Sequence, residues 1–460
     1  MREANNANAS IRFLDQEPDC IAVVPSAPSF VIIGTYSLLG DSDGEGNSGR
    51  KGSLQILPFL APVTQTKHLD LDRKDFPFGI YDLHFHPRDT DLLGVATSNA
   101  EILFFRLRTT QDQAGSLRTI ELREIGRVIV EEPHDDDGRL AIVTQFQFID
   151  TASAPALETE AENSSGSIEV LLAATTQFGN TKLLKTILTT ADSGFESVSQ
   201  RLKAQVLDVH KQSFDLEAWT VLSLPVPSQD SLLVLSGGDD SQLLISRVGV
   251  PNRPTSNLDL DTITTKQFLT DKRSHTAGVV TICSLGTISP QAAADPFQSE
   301  SSSSTLILTG SYDETLRLFI LTPPSATDPR CTFKLLGDLQ IGGGVWRITL
   351  LDQYPRKSAS GLLEGLDYIL LVAGHTAGVF IVRLSATRFE HDSDDRTIAE
   401  ENGWNYAFKV GKTFTEHDSL VYAVAAKRDE EKPWKWRVVS TSFYDKKICN
   451  WVWNGDQQQP

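Results

Sequence analysis

Cysteine is scarce in this chain of 460 residues: Cys20, Cys283, Cys331 and Cys449 are widely scattered, and no two form a C-x-x-C pair. That excludes a zinc ribbon and a dithiol redox motif, and leaves four buried thiols in a reducing compartment as the expectation. Positive charge is also short, 42 Lys and Arg against 60 Asp and Glu. A non-specific nucleic-acid or anionic-membrane binder needs clustered cations, so neither partner is expected. No apolar run approaches the ~20 residues of a membrane helix, and Met1 to Phe13 lacks a signal-peptide apolar core. The expected address is the cytoplasm. There is no H-E-x-x-H and no P-loop, and the nine histidines do not cluster at ligand spacing. No metal and no cofactor is expected.

Two formal motif hits carry no chemistry. Gly40-Asp-Ser-Asp-Gly44 matches G-x-S-x-G, and Gly44-Glu-Gly-Asn-Ser-Gly49 matches G-x-G-x-x-G. Both lie in an acidic loop, where neither the strand-to-helix elbow nor the helix N-terminus that gives these motifs meaning can follow.

What the sequence does contain is a repeat. Strand, polar turn and strand recur at Leu306 to Ile320 around Thr309-Gly-Ser-Tyr-Asp-Glu314, and at Val438 to Trp453 around Thr441-Ser-Phe-Tyr-Asp-Lys446. In both, an Asp precedes an aromatic by six residues: Asp313 and Phe319, Asp445 and Trp451. Weaker copies surround Ser236-Gly-Gly-Asp-Asp240 and Asn99, and three eroded ones span Phe30 to Phe59, Ile168 to Leu188 and Ile369 to Leu384. Each of the seven follows a further alternating segment. Short strands in series with almost no helical periodicity predict an all-β, seven-bladed WD-repeat β-propeller over 1–460. The last unit stops after its third strand, so Ser10 to Asp15 is expected to supply the fourth and close the ring, removing an exposed edge. The insertions 40–52, 151–167, 290–304 and 388–402 read as acidic or Ser-rich surface loops.

The turn aspartates Asp240, Asp313 and Asp445 read first as buttresses, with His417, Thr441, Asp445 and Trp451 as the fullest set. Asp240 and Asp313 lack the indole six residues on, which leaves them free to serve a ligand. Trp219 in Glu217-Ala-Trp219, and Trp346 and Arg347 in Gly342-Gly-Gly-Val-Trp-Arg347, stand where the blades open onto the central channel. The glycine triplet permits close approach or unusual dihedrals, and Arg347 suits a carboxylate.

These segments, with Ser274-His-Thr-Ala-Gly-Val279, Ser419-Leu-Val-Tyr422 and Ser442-Phe-Tyr-Asp445, taken in order, resemble the WD-repeat diphthine methylesterase family of diphthamide biosynthesis. The resemblance covers Leu207 to Trp453, and the first three blades by architecture alone. It implies hydrolysis of the methyl ester of the diphthine intermediate on elongation factor 2, before the final amidation. Elongation factor 2 and other enzymes of that pathway would be the partners. Under it, His275, His375, Asp240 and Asp313 are the candidate catalytic groups. Glu217, Trp219, Tyr312, Trp346, Arg347 and Tyr444 are candidates to bind the substrate, whose trimethylammonium group aromatic faces attract. The rival reading is a non-catalytic WD-repeat scaffold for protein complexes; a methyltransferase is disfavoured for want of a glycine-rich strand-to-helix loop.

Overall fold

The computed structural model describes residues 9–39, 49–59, 70–111, 117–133, 138–150, 167–189, 201–211, 213–226, 231–249, 259–288, 304–324, 330–358, 363–388 and 404–455. They form seven small antiparallel sheets, the blades of a β-propeller. The inner strands are Pro18–Val23, Ile80–Phe85, Val143–Phe148, Ala218–Pro225, Val279–Ile288, Arg347–Lys357 and Val421–Arg428, for blades 1 to 7 in chain order. Blade 2 carries a fifth, short strand, Asp70–Leu71, parallel to its outermost one. The only helical turn among the described residues is a 3-10 turn at Leu260–Thr262. No helix there is long and apolar enough to cross a membrane.

Side chains alternate across a strand, and here both faces meet a neighbouring blade. In blade 4, Leu232 and Val234 pack on blade 3 beside Leu171 and Leu183, while Leu233 and Leu235 pack on blade 5 beside Ile307 and Phe319. In blade 2, Leu93 and Val95 face blade 1 and Leu92 and Ala96 face blade 3. This double burial explains why the second strands read as unbroken apolar runs rather than as an alternation. The last interface joins blade 7 to blade 1 through Ala425, Val439 and Ile448 against Val31 and Ile33. The core is thus a closed ring of interfaces.

Ser10–Phe13 completes blade 7, antiparallel to Lys447–Asn454, with Ile11 opposite Cys449 and Phe13 opposite Lys447. The Leu14 N–H then donates to the Lys446 carbonyl at 2.8 Å. The Asp15 carboxylate pairs with Arg73 of blade 1, also at 2.8 Å. One segment therefore ties the last blade to the first. Of the expected loops, Arg50 to Gly52, Ser167, Ser304 and Arg388 are strand residues instead; the ladder simply extends into the polar sequence. The remainder, apart from Gly49, lies outside the described residues. Cys20 and Cys449 are buried, Cys283 and Cys331 only partly so, and all four are free.

Deleting residues 1–15 removes the closing strand and exposes the edge of Lys447–Asn454. The melting temperature is expected to fall sharply and aggregation to rise, because an unpaired edge templates further pairing. Full-length thermal stability in the truncated chain would contradict the assignment.

Candidate active site

The inner strands share an irregularity at their channel-mouth ends. In six blades the register skips one residue after the first pair, leaving Asp19, Tyr81, Thr144, Trp219, Val280 and Tyr422 as the extra residue of a β-bulge. In blade 6, Trp346 donates its N–H to the Ala373 carbonyl at 2.9 Å while Arg347 stands opposite the same residue. Bulges break the in–out alternation and re-aim a side chain. Repeated around a propeller, they gather one residue per blade at one place.

Four of the seven are aromatic, and they join the turn residues of neighbouring blades in a continuous cluster. Trp346 is 5% exposed and central to it. It stacks on Tyr422 at 4.7 Å and on His375 at 5.3 Å, and meets Trp219 edge-on and Tyr312 tilted, both at 5.7 Å between centroids. Phe443 links Tyr422 to Tyr36, which stacks on Tyr81 at 4.6 Å. Burial lifts the phenols of Tyr36, Tyr312 and Tyr422 far above their ordinary value, so none supplies a phenolate. Three polar atoms in this cluster are buried without a hydrogen-bond partner: Trp219 Nε1, Trp346 Nε1 and His375 Nε2. Unpaired buried groups are costly, and these three make the wall the candidate site.

The backbone around them is strained in the required way. Gly342 has φ +81°, and a Cβ on Gly343 would lie 2.3 Å from the Gly374 carbonyl oxygen, so the triplet does allow both the dihedral and the close approach. His375 itself holds φ +47°, a conformation uncommon for a side-chain-bearing residue. Its carbonyl accepts from Val421 N–H at 3.0 Å, pinning it between blades 6 and 7. Burial lowers the His375 imidazole to about 4, which leaves it neutral at physiological pH.

Charge enters this wall at few points. The Arg347 guanidinium lies over Trp346, 5.5 Å from the ring centroid. Asp19, 3% exposed, is pushed up to about 8 by burial, opposed by Arg347 and reinforced by Asp82. Burial acts most strongly on Asp82, but His84 at 2.9 Å, Arg347 and the Phe146 N–H together outweigh it and hold that carboxyl below its ordinary value. Asp239 is raised by burial, and Glu217 and Asp240 add to the rise; the Trp219 indole faces it closely enough to oppose the shift, without a hydrogen bond of normal geometry. A Cβ on Gly278 would meet Asp239 Oδ1 at 2.5 Å, so glycine there makes room for this carboxylate.

The structure thus brings together Trp219, Tyr312, Trp346, Arg347 and His375. Tyr444, 71% exposed, reaches the rim through Phe443. Glu217 sits at the border between the wall and a polar groove of about 790 Å³ that also involves Glu131, Lys182 and Asp208. His275, Asp240 and Asp313 hold the blade turns. His275 Nε2 bonds Thr309 Oγ1 at 2.8 Å under the turn. Asp313 accepts from Thr276 N–H at 2.9 Å and Arg317 at 2.8 Å. Asp240 accepts from Asp215 N–H at 2.9 Å and from the Gln242 amide at 2.6 Å.

The buttress of blade 7 differs from expectation by one residue. His417 bonds Ser442 and Ser440, each at 2.7 Å, and Trp451 Nε1 donates to Ser440, while Thr441 Oγ1 is unpartnered. Asp445 caps the Asp418 N–H and does not reach the imidazole. The ladder explains this: Thr309, four before Asp313, pairs Arg317, whereas in blade 7 the residue paired four beyond Asp445 is Ser440, five before it. Neighbours alternate faces, so the hydroxyls that meet His417 are Ser440 and Ser442. Blade 4 has its own version, missed in the sequence: His210 bonds Ser236 at 2.6 Å and Ser246 at 2.7 Å, the serine hydroxyl standing where blade 7 has an indole. Cys449 lies 4.0 Å from His417 Nδ1, but burial pushes its thiol up to about 12, so this pair offers no thiolate. Among the described residues no three His, Cys, Asp or Glu side chains converge as a metal site would require.

Comparison with known proteins follows the whole length of the chain. Diphthine methyltransferase of Saccharomyces cerevisiae is 24% identical over 452 residues, 95% of each chain. Diphthine methyltransferase of Schizosaccharomyces pombe is 24% identical over 424 residues, 92% of this chain and 90% of the relative. No protein-family profile matches the chain.

Besides Asp19 and Asp239, the sequence reading had passed over Tyr422, Phe443, Tyr36 and Tyr81 as site residues. Tyr422 had a signal, since it starts its inner strand as Trp219 and Trp346 do. Asp19 had none, because a one-residue bulge decides which of two neighbours turns inward; Asp239 stands in a turn beside Asp240.

The buried imidazoles yield a pH dependence. Burial, first among the causes, lowers His210, His275, His375 and His417 to about 4, against about 6.5 unfolded. The unfolded chain therefore takes up protons first, and stability is lost as pH falls from about 6.5 through 4. Asp19 works the other way, but four imidazoles outweigh one carboxyl. His275→Gln is expected to flatten the slope of melting temperature against pH by about one proton; an unchanged slope would show that His275 is not buried neutral.

Proposed function

We propose that this chain hydrolyses the methyl ester of the diphthine intermediate on elongation factor 2, releasing methanol and the free carboxylate. The observation that carries this reading is the wall of Trp219, Tyr312, Trp346 and Tyr422 at the channel mouth, with Asp239 beside it. A trimethylammonium group cannot donate hydrogen bonds. It is held by aromatic faces and by a nearby negative charge, at about 0.5–2 kcal/mol per cation–π contact. The curated relatives are named for diphthine, and that modified histidine bears such a cation next to the carboxyl group that is esterified.

The same wall has the parts that ester hydrolysis needs. Neutral His375, with Nε2 unpartnered, takes a proton from the attacking water in the role of general base. The Trp346 N–H, buried without a partner, is a donor for the oxyanion that forms on the carbonyl, while the Trp219 indole is turned to Asp239. Arg347, fixed over Trp346, receives the product carboxylate. Asp239 and the aromatic faces hold the cation, so reacting atoms and base share one frame.

The relatives' names speak of methyl transfer, whereas this reading is hydrolysis. A nucleotide-like cofactor in doubly wound folds sits where a strand turns into a helix, and the described residues contain no α-helix. Hydrolysis asks only for water.

Purified protein is expected to release methanol stoichiometrically from methyl-esterified elongation factor 2. Trp346→Ala, which removes a cation–π face and an oxyanion donor together, should lower kcat/KM about a thousandfold or more, and His375→Ala should lower kcat about a hundredfold with the fold intact. No methanol from any preparation leaves the scaffold reading in place. Stoichiometric binding of a methyl-donor cofactor by calorimetry would replace hydrolysis with transfer.

A further inference from the structure

We propose that Asp19, the bulge residue of blade 1, is the proton donor of the ester hydrolysis, giving its proton to the leaving methoxy oxygen; this rests on the reading above. Asp19 is placed as its counterparts Trp219 and Tyr422 are, at the extra position of an inner-strand bulge. Its carboxyl is 3% exposed, and its surroundings act on it through burial and charge, with no hydrogen bond to the described residues. A carboxyl at such a bulge is aimed with the other bulge residues at the channel mouth rather than into a blade interface.

The groups facing it are few. Blade 1 supplies Tyr36 and Cys20, blade 2 Tyr81 and Asp82, blade 5 Tyr312, blade 6 Arg347 and blade 7 Tyr422. Arg347 is the only cation among them, and Asp82 is held charged by His84 together with Arg347 and the Phe146 N–H. Burial and the Asp82 charge together outweigh Arg347 and keep the proton on Asp19 at neutral pH. A carboxylic acid kept neutral in this way is a hydrogen-bond donor.

The step balances. Water adds to the ester carbonyl and its proton passes to His375. The C–OCH3 bond of the tetrahedral species then breaks, its electron pair going to the methoxy oxygen, which takes the Asp19 proton and leaves as methanol. The new carboxylic acid ionises, and His375 and Asp19 regain their starting states by exchange with solvent. The net change is ester plus water to carboxylate, methanol and a proton.

The test is methanol release from methyl-esterified elongation factor 2 across pH 5–10, by wild type and Asp19→Asn. Wild-type kcat/KM is expected to fall above about pH 8, as the proton is lost from the donor. Asp19→Asn should lose that alkaline limb, with turnover down a hundredfold or more. It should also melt higher than wild type, by more at pH 8 than at pH 5: native Asp19 keeps its proton to a higher pH than the unfolded chain does, so its contribution to stability is lost as pH rises through the folded value. A folded variant with full turnover, or with reduced turnover and an unchanged alkaline limb, overturns the role of Asp19 alone. Wild type that releases no methanol at any pH overturns the hydrolase reading and this inference with it. If the variant does not fold, the carboxylic-acid infrared band of the wild type decides: one that persists at pH 6–7 and titrates near 8 supports the assignment, and an aspartate fully ionised at pH 6 overturns it.

Discussion

The second strand of each blade is pressed between two neighbouring blades, so both of its alternating faces are taken up by packing. Leu232 to Leu235 show it within four residues, two side chains serving one interface and two the next. Chemistry is confined to places where the alternation breaks. The bulge at the mouth of six inner strands is such a place, and its recurrence brings Trp219, Tyr81, Tyr422 and the buried Asp19 to one mouth, where turn residues such as Tyr312 and His375 complete the wall.

The fold was legible because its signal is repeated. A turn Asp with an aromatic six residues on, preceded by an alternating strand, recurs often enough that the weak copies could be read from the strong ones. Ring closure was legible too, since a last unit without a fourth strand has to find one. What a repeat cannot show is a local change of register. The single-residue offset between blades 5 and 7 exchanges Thr441 for Ser440 in contact with His417, and nothing in the spelling of the two turns marks it.

The site was half legible for the same reason. Trp219, Tyr312, Trp346, Arg347 and His375 stand in recognisable surroundings, and they do meet. Asp240 and Asp313 were read as candidates because they lack an indole, yet backbone amides and neighbouring side chains occupy them fully. The carboxylates that reach the wall are Asp239, beside one of these, and Asp19, in a blade where the sequence resembles nothing closely. His275 and His375 look alike in sequence. Each keeps one buried nitrogen without a partner, but His275 is bonded through the other to a strand hydroxyl under a turn, whereas His375 is held at φ +47° within the aromatic cluster.

The central claim is that the channel mouth, rather than the polar groove beside Glu217, receives a trimethylammonium ester. A crystal structure of the protein with a non-hydrolysable ketone analogue of that ester tests it most directly. The cation is expected against Trp219, Tyr312 and Trp346 near Asp239, with the carbonyl oxygen turned toward the Trp346 N–H and Arg347. The analogue lying in the groove with Glu131, Lys182 and Asp208, and the aromatic wall left empty, would contradict it.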